Sequence, residues 1–279
     1  MIPFKDITLA DKDTITSFTM KSDRRNCDLS FSNLCSWRFL YDTQFAVVDN
    51  FLVFKFWAGE QLAYMMPVGT GDLKAVLWEL IEDARKENQH FCMLGVCSNM
   101  RADLETILPE QFTFTEDRDY ADYIYLRSDL STLKGKKFQA KSLDLEAERC
   151  KVNNCDQQEG TGNERRALIY ALHNFEALGL TGGILHVNGK IVAFTFGMPI
   201  NHETFGVHVE KADTSIEGAY AMINYEFANR IPEQYIYINR EEDLGIEGLR
   251  KAKLSYQPAT ILEKYMACLK EHPMNMVKW

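Results

Sequence analysis

The chain has 279 residues, 46% hydrophobic and 25% charged, with 40 acidic side chains against 31 Lys and Arg and a net charge of -9. That is enough for one large domain or two ordinary ones, with a core that needs no disulfide staples. The charge excludes a protein that coats nucleic acid through a broadly basic face, though not one with a local basic groove. No apolar run approaches the roughly 20 residues that span a bilayer. The start, Met1-Ile-Pro-Phe-Lys-Asp6, lacks the basic-then-apolar pattern of a signal peptide, so the expected location is cytoplasmic.

Asp11 and Ser30 stand where they can cap helices holding Ile15/Phe18 and Leu34/Trp37/Tyr41. Phe45 to Phe56 reads as a hairpin turning at Asp49-Asn50, with Gln61 to Met66 as the next strand. Asp72 opens a helix whose apolar stripe is Leu73, Val76, Leu77, Leu80, Ile81 and Ala84. A strand at Phe91–Val96, a helix capped by Ser98, and a hairpin of Phe112–Thr115 with Tyr123–Leu126 complete the first half.

In the second half, Thr161-x-x-Glu164 has the form of a capping box, and the helix it opens is stopped by Gly179. Asn188-Gly189 supplies the positive φ angles of a type I′ hairpin turn between two β-prone runs. Glu203–Glu210 extends the hairpin to a meander. A helix at 218–229, a strand at Tyr235–Asn239, a helix at 245–256 and an apolar closing strand or hairpin arm from Ile261 to Leu269 follow. The same order thus occurs twice, with the hairpin turns 139 residues apart, which predicts an internal duplication with domains at 1–132 and 133–279. The seam is the polar stretch Leu133-Lys-Gly-Lys-Lys-Phe-Gln-Ala-Lys141.

Seven cysteines without a CxxC pair predict reduced thiols rather than a zinc site, and no metal is expected. His186 and His208 read as ordinary sheet residues. No P-loop, Gly-x-Ser-x-Gly elbow or His-Glu-x-x-His occurs.

Helices, a meander, then helix, strand, helix and closing strands resembles the GNAT acyltransferase fold, here in tandem as in Fem-type peptidyl transferases. The fold class expected is therefore α+β, with mixed, mostly antiparallel sheets flanked by helices. Leu133-Lys-Gly-Lys-Lys137, His208-Val-Glu-Lys-Ala-Asp213 and above all Asn239-Arg-Glu-Glu-Asp-Leu-Gly-Ile-Glu-Gly-Leu-Arg-Lys-Ala-Lys-Leu-Ser-Tyr-Gln-Pro258 are similar to an uncharacterised bacterial family. That family is related to the catalytic domain of phosphatidylglycerol lysyltransferases. Compared with it, the join at Ala140-Lys-Ser-Leu143 is abrupt.

The resemblance implies an acyltransferase that takes its acyl group from an aminoacyl-tRNA or an acyl-CoA, with no tightly bound cofactor. The implied partners are a tRNA 3′ end in a local basic groove and a small-molecule, peptide or lipid acceptor. A non-catalytic small-molecule binder on the same fold is the competing class, and the sequence does not fix the oligomeric state. Acyl transfer needs a base, an oxyanion donor and alignment. Carboxylates at sheet ends supply the candidate catalysts Glu210, Asp213, Glu241 and Asp243, together with Lys253; Asp243→Asn or Lys253→Ala is then expected to stop turnover and leave the fold intact. Lys136, Lys137, Lys211, Gly218, Ala219, Asn239, Arg240, Arg250 and Tyr256 are the candidate donor-binding residues. The helix start at Gly218 lacks the family's glycine-rich pyrophosphate signature, which argues against acetyl-CoA.

Overall fold

The computed structural model describes residues 2–132 and 161–270. The seam motif Leu133–Lys137 with Lys136 and Lys137, the join at Lys141–Ser142, and Cys150 and Cys155 lie outside the described residues. The described chain forms two compact units. Unit 1 comprises residues 2–6, 41–117 and 263–270; unit 2 comprises 7–40, 118–132 and 161–262. The units are therefore not the consecutive halves 1–132 and 133–279.

Unit 1 carries a sheet of eight strands. They are β1 (Lys5–Asp6), β2 (Gln44–Val48), β3 (Phe51–Ala58), β4 (Gln61–Tyr64), β5 (Val68–Gly69), β6 (Cys92–Cys97), β7 (Phe112–Glu116) and, from the far end of the chain, β14 (Lys264–Leu269). The order is β1-β2-β3-β4-β6-β14-β7, with β5 on β3. The β2–β3 turn has φ of 44° at Asp49 and 63° at Asn50, the pair a type I′ turn requires.

Unit 2 has six strands: β8 (Asp122–Leu126), β9 (Thr181–Val187), β10 (Lys190–Pro199), β11 (Thr204–Ala212), β12 (Tyr237–Asn239) and β13 (Thr260–Leu262). Their order is β13-β8-β12-β11-β10-β9. Asn188 and Gly189, at φ 51° and 77°, turn β9 into β10.

The two sheets share one plan, the α+β tandem GNAT arrangement. Each has an antiparallel meander, then a parallel pair (β4/β6 and β11/β12), then two antiparallel strands. The expected hairpin of Phe112–Thr115 with Tyr123–Leu126 is corrected: both strands form, but in different sheets. The closing strand likewise divides into β13 and β14, one for each unit. In each sheet the strand beside the parallel pair comes from the other half of the sequence, β14 beside β6 and β8 beside β12.

The helices are α1 (Lys12–Thr19), α2 (Phe31–Ser36), α3 (Arg38–Tyr41), α4 (Leu73–Lys86), α5 (Ser98–Ile107), α6 (Arg127–Thr132), α7 (Thr161–His173), α8 (Phe175–Leu178), α9 (Ala219–Arg230) and α10 (Glu247–Ser255). Asp72 caps α4 by accepting from Ala75 N at 3.1 Å, and Gly179 ends α8 in the left-handed region. Two expected caps are spent elsewhere. Asp11 accepts from the amide and hydroxyl of Thr8, and the Ser30 hydroxyl lies against His208. The segment holding α1 and α2 belongs to unit 2, not to the half that follows it in sequence.

Unit 1 buries the α4 stripe of Val76, Leu77, Leu80, Ile81 and Ala84, and a run of rings from Phe4 through Tyr64 and Phe91 to Phe112, with centroids 5.1–6.4 Å apart. Cys92 and Cys268 face each other across β6 and β14 and form a disulfide, which corrects the expectation of seven reduced thiols. Unit 2 centres on Tyr123, Tyr125, Phe205, Phe227, Tyr235, Ile238 and Tyr256.

Candidate functional site

In unit 2, β11 and β12 pair in parallel at Thr204/Tyr237, Phe205/Ile238 and Gly206/Asn239, and no further. Past Asn239 the chain stays with β8: Arg240 N donates to Tyr123 O at 3.0 Å, and Tyr123 N to Glu241 O at 3.2 Å. Strand β11 meanwhile runs on to Ala212. The two strands therefore part, and two side-chain pairs span the opening. His208 Nδ1 lies 2.8 Å from Glu241 Oε1, and Arg240 Nη2 donates to Glu210 Oε1 at 2.8 Å.

Glu241 stands at the first position beyond the opening where a carboxylate is held but not enclosed. Its backbone is left-handed, φ 57°, a conformation a non-glycine residue keeps only where its surroundings impose it. Those surroundings are visible: Asn239 Oδ1 accepts from Glu241 N at 2.7 Å, and Asn33 Nδ2 donates to Glu241 Oε1 at 2.7 Å. Asn33 Nδ2 and His208 Nδ1 both meet the carboxylate at Oε1; Oε2 has no hydrogen-bond partner among the described residues. Behind His208, Ser30 Oγ lies 2.8 Å from Nε2. Ser30 is fully buried and the His208 ring is 3% exposed.

Arg240 is wedged between chemistries. Its guanidinium lies 4.6 Å from the Tyr256 ring centroid and 5.6 Å from that of Tyr125, and it pairs with Glu210. Burial works most strongly against its charge, but Glu210 together with the neighbouring Tyr125 and Tyr256 outweighs it, so the proton is held more tightly than in an ordinary arginine. Glu210 spends its second oxygen on Asn224 Nδ2 at 3.1 Å. Arg240 Nη1 is buried and no group among the described residues meets it in hydrogen-bond geometry, the nearby Tyr256 hydroxyl included. Tyr256 packs edge-on against Tyr125 as a buried aromatic. Lys253 donates to the Arg240 carbonyl; burial first, then the nearby Arg240 charge, pull its pKa down against the attraction of Glu241, Glu242 and Asp122.

Asp243 is fully buried and fully committed. It accepts from Tyr123 at 2.5 Å, Arg118 at 3.2 Å, both Nε and Nη2 of Arg250 at 2.8 Å, and Gly245 N at 2.9 Å. Burial alone would raise this carboxyl, but the donors led by Arg250 and Tyr123 prevail and hold it at about 2. It is a brace between β8 and α10, and no lone pair is left to take a substrate proton. That revises the expectation that Asp243→Asn would spare the fold. Asn239 is also a strut: its side chain donates to Arg25 O and Asp122 Oδ2 and accepts from Glu241 N.

The remaining expected residues are not brought to the opening. Asp213 is exposed and caps its own turn through Ser215 N and Oγ, which lower its pKa. Lys211 pairs with Glu164 at 2.7 Å. Gly218 has φ 76° and a Cβ there would meet open space, while the Ala219 amide is spent on Ile216 O. Of the cations of the last motif, Arg250 turns to Asp119 and Asp243 and Lys253 turns inward, while Lys251 is exposed.

Among the described residues, one uncrosslinked group could offer metal ligands: Cys27, Asp122 and Glu242, whose ligand atoms lie within 4.8 Å of one another. The thiol lies within hydrogen-bond reach of both carboxylates, at 3.3 and 3.1 Å, with one proton to share between them. Ser30, Asn33 and His208 were missed by sequence reasoning. For His208 a signal existed, since it shares a strand face with Glu210 two residues on. For Ser30 and Asn33, some 200 residues away in sequence, none did.

A sequence profile described as "Phosphatidylglycerol lysyltransferase, C-terminal" matches residues 19–146 and 143–268. Among solved structures the chain is similar to a conserved protein of unknown function from Bacteroides thetaiotaomicron, with 84% identity, a TM-score of 0.91, and coverage of 97% of this chain and 100% of that one. It is also similar to L-PGS from Bacillus licheniformis, at 15% identity and a TM-score of 0.62, over 95% of this chain and 93% of that one. The C-terminal domain of a putative lysylphosphatidylglycerol synthetase from Agrobacterium fabrum gives the same TM-score and coverage at 14% identity. At such identities the likeness is one of fold. No curated protein sequence matches the chain.

Proposed function

The chain belongs to the phosphatidylglycerol lysyltransferase C-terminal family, and from that membership we propose that it is an acyltransferase carrying an aminoacyl group from a charged tRNA to an amine or hydroxyl acceptor. The observation that carries this reading is the parting of β11 and β12 with Glu241 beside it, one carboxylate oxygen anchored and the other unclaimed. In the reaction, Oε2 takes the proton from the acceptor as its nitrogen or oxygen attacks the ester carbonyl. The uncommitted Nη1 of Arg240 is a charged donor for the developing oxyanion. Collapse breaks the carbonyl–ribose oxygen bond, and the proton passes to the departing ribose hydroxyl. An acyl-CoA donor is the lesser reading, because Ser215-Ile-Glu-Gly-Ala-Tyr220 at the start of α9 lacks a glycine-rich phosphate-binding signature. Among the described residues no helix is long and apolar enough to cross a membrane, which suits an acceptor met in water or at a surface.

The test is transfer of radiolabel from a mixed aminoacyl-tRNA pool to ethanolamine, to glycerol, or to vesicles containing phosphatidylglycerol. Label leaving the RNA into one acceptor, and a loss of about 10²–10⁴-fold in Glu241→Gln, is expected. Turnover of acetyl-CoA with charged tRNA untouched would overturn the proposal.

A further inference from the structure

We propose that His208 is a positioning residue, locked by Ser30 as the Nδ1–H tautomer so that it fixes Glu241 Oε1 and leaves Oε2 to take the acceptor's proton. This rests on the acyl-transfer reading for its purpose, but not for its geometry. The argument starts at Ser30. Its side chain is fully buried, and its hydroxyl has one hydrogen-bonding neighbour among the described residues, His208 Nε2 at 2.8 Å. A buried hydroxyl proton left unmatched costs about 1–3 kcal/mol. In the neutral ring, the proton therefore points at Nε2, which must then be the bare nitrogen. The ring proton is left on Nδ1, where an ionised carboxylate that only accepts stands 2.8 Å away.

Asn33 adds a second donor to the same oxygen, at 2.7 Å. A glutamate has three side-chain torsions, and two converging donors on one oxygen remove the freedom that would swing the other away from the opening. The left-handed backbone at Glu241 belongs to the same device, since Asn239 Oδ1 holds its amide. The parts come from α2, β11 and the loop after β12, all within unit 2. Sequence placed Ser30 as a helix cap; its hydroxyl instead lies against the histidine.

Two amide substitutions separate the two ends of the ring. Asparagine at 208 reproduces the Nδ1 donor and loses the Nε2 contact; glutamine reaches toward Ser30 and loses the donor to Glu241. With the labelled aminoacyl-tRNA assay, His208→Asn is expected to stay within about tenfold of the parent, while His208→Gln falls with Glu241→Gln by about 10²-fold or more. Equal losses in both, at equal thermal stability, would overturn the positioning role. Nitrogen-15 imidazole spectra of the unmodified protein, with His208 assigned by its absence in His208→Asn, test the geometry without any substrate. The expected signature is a protonated Nδ1 and a bare Nε2, with the two forms mixing in Ser30→Ala. A protonated Nε2 in the parent would refute the assignment. The Nδ1–H signature without transfer of label would instead count against the acyl-transfer reading and leave the tautomer lock standing.

Discussion

The two units fold the same strand order and do different things with the place where their parallel strands part. In unit 1 the parallel contact is the pair Tyr64/Met93, and the residues that follow are Met65, Met66 and Pro67 on one side and Leu94, Gly95 and Val96 on the other. The hydroxyl of Tyr64 is turned aside to Asp83 at 2.8 Å. In unit 2 the matching positions carry His208, Glu210, Arg240 and Glu241. One backbone plan thus supports a body whose opening is apolar and cross-linked and one whose opening is lined by charged and polar side chains. The chemistry is set by the handful of residues just past the last ladder pair, and the fold alone does not decide it.

The comparison breaks most visibly at Asp243. Its removal leaves Arg118 and Arg250 beside a buried gap, so Asp243→Ala should cost about 3–5 kcal/mol. Urea unfolding read by hydrogen exchange should show β8 and α10 losing protection while β2–β4 of unit 1 keep theirs. Full stability with turnover abolished would return this carboxylate to the reacting groups. The reciprocal change is Cys268→Ser, which opens the disulfide between β6 and β14 and should cost unit 1 about 2–4 kcal/mol. Protection should fall first in β14, with unit 2 unchanged; a uniform loss across both sheets would mean the units do not differ in what holds them.

The smallest contrast is in pH. The Asp243 carboxyl is held at about 2 against an ordinary 3.8. A depressed carboxylate stabilises fully above its unfolded value and loses that contribution as pH falls through its folded one. Unit 2 should therefore shed about 2 kcal/mol between roughly pH 4 and 2. Thermal scans of the parent across that range should show the drop, and no further drop beyond the initial loss in Asp243→Ala.

Local signals carried the elements well. Asp49-Asn50 and Asn188-Gly189 turned as their φ preferences require, Asp72 capped, Gly179 stopped its helical segment although the single helix expected from Thr161 breaks at Asn174 into α7 and α8, and the duplication was readable from spacing. What was not readable is whatever depends on partners distant in sequence. Phe112–Glu116 and Asp122–Leu126 look like a hairpin because they are near neighbours, yet nothing in either strand says that each pairs with a strand more than 100 residues away. The site divides the same way. Glu241, Glu210 and Arg240 were singled out because the motif is local. Asp243 and Lys253 were given reactive roles because a sequence shows that a side chain is charged, not that five donors already converge on Asp243 or that Lys253 is already turned to the Arg240 carbonyl. Ser30 and Asn33 meet residues 241 and 208 only through the packing of α2 in unit 2.

The crossing of strands between the halves has a consequence for how the protein is made. As the chain leaves the ribosome, α1 and α2 emerge early, but β8–β13, the whole sheet of their unit, follow only after nearly all of unit 1. Unit 1 in turn waits for β14, so its slot between β6 and β7 stays vacant until the last strand is translated. Neither sheet can close during most of synthesis, and nascent chains will expose two unfilled strand edges at once. Chaperone demand for this protein should accordingly rise until β14 is translated and fall once it has paired.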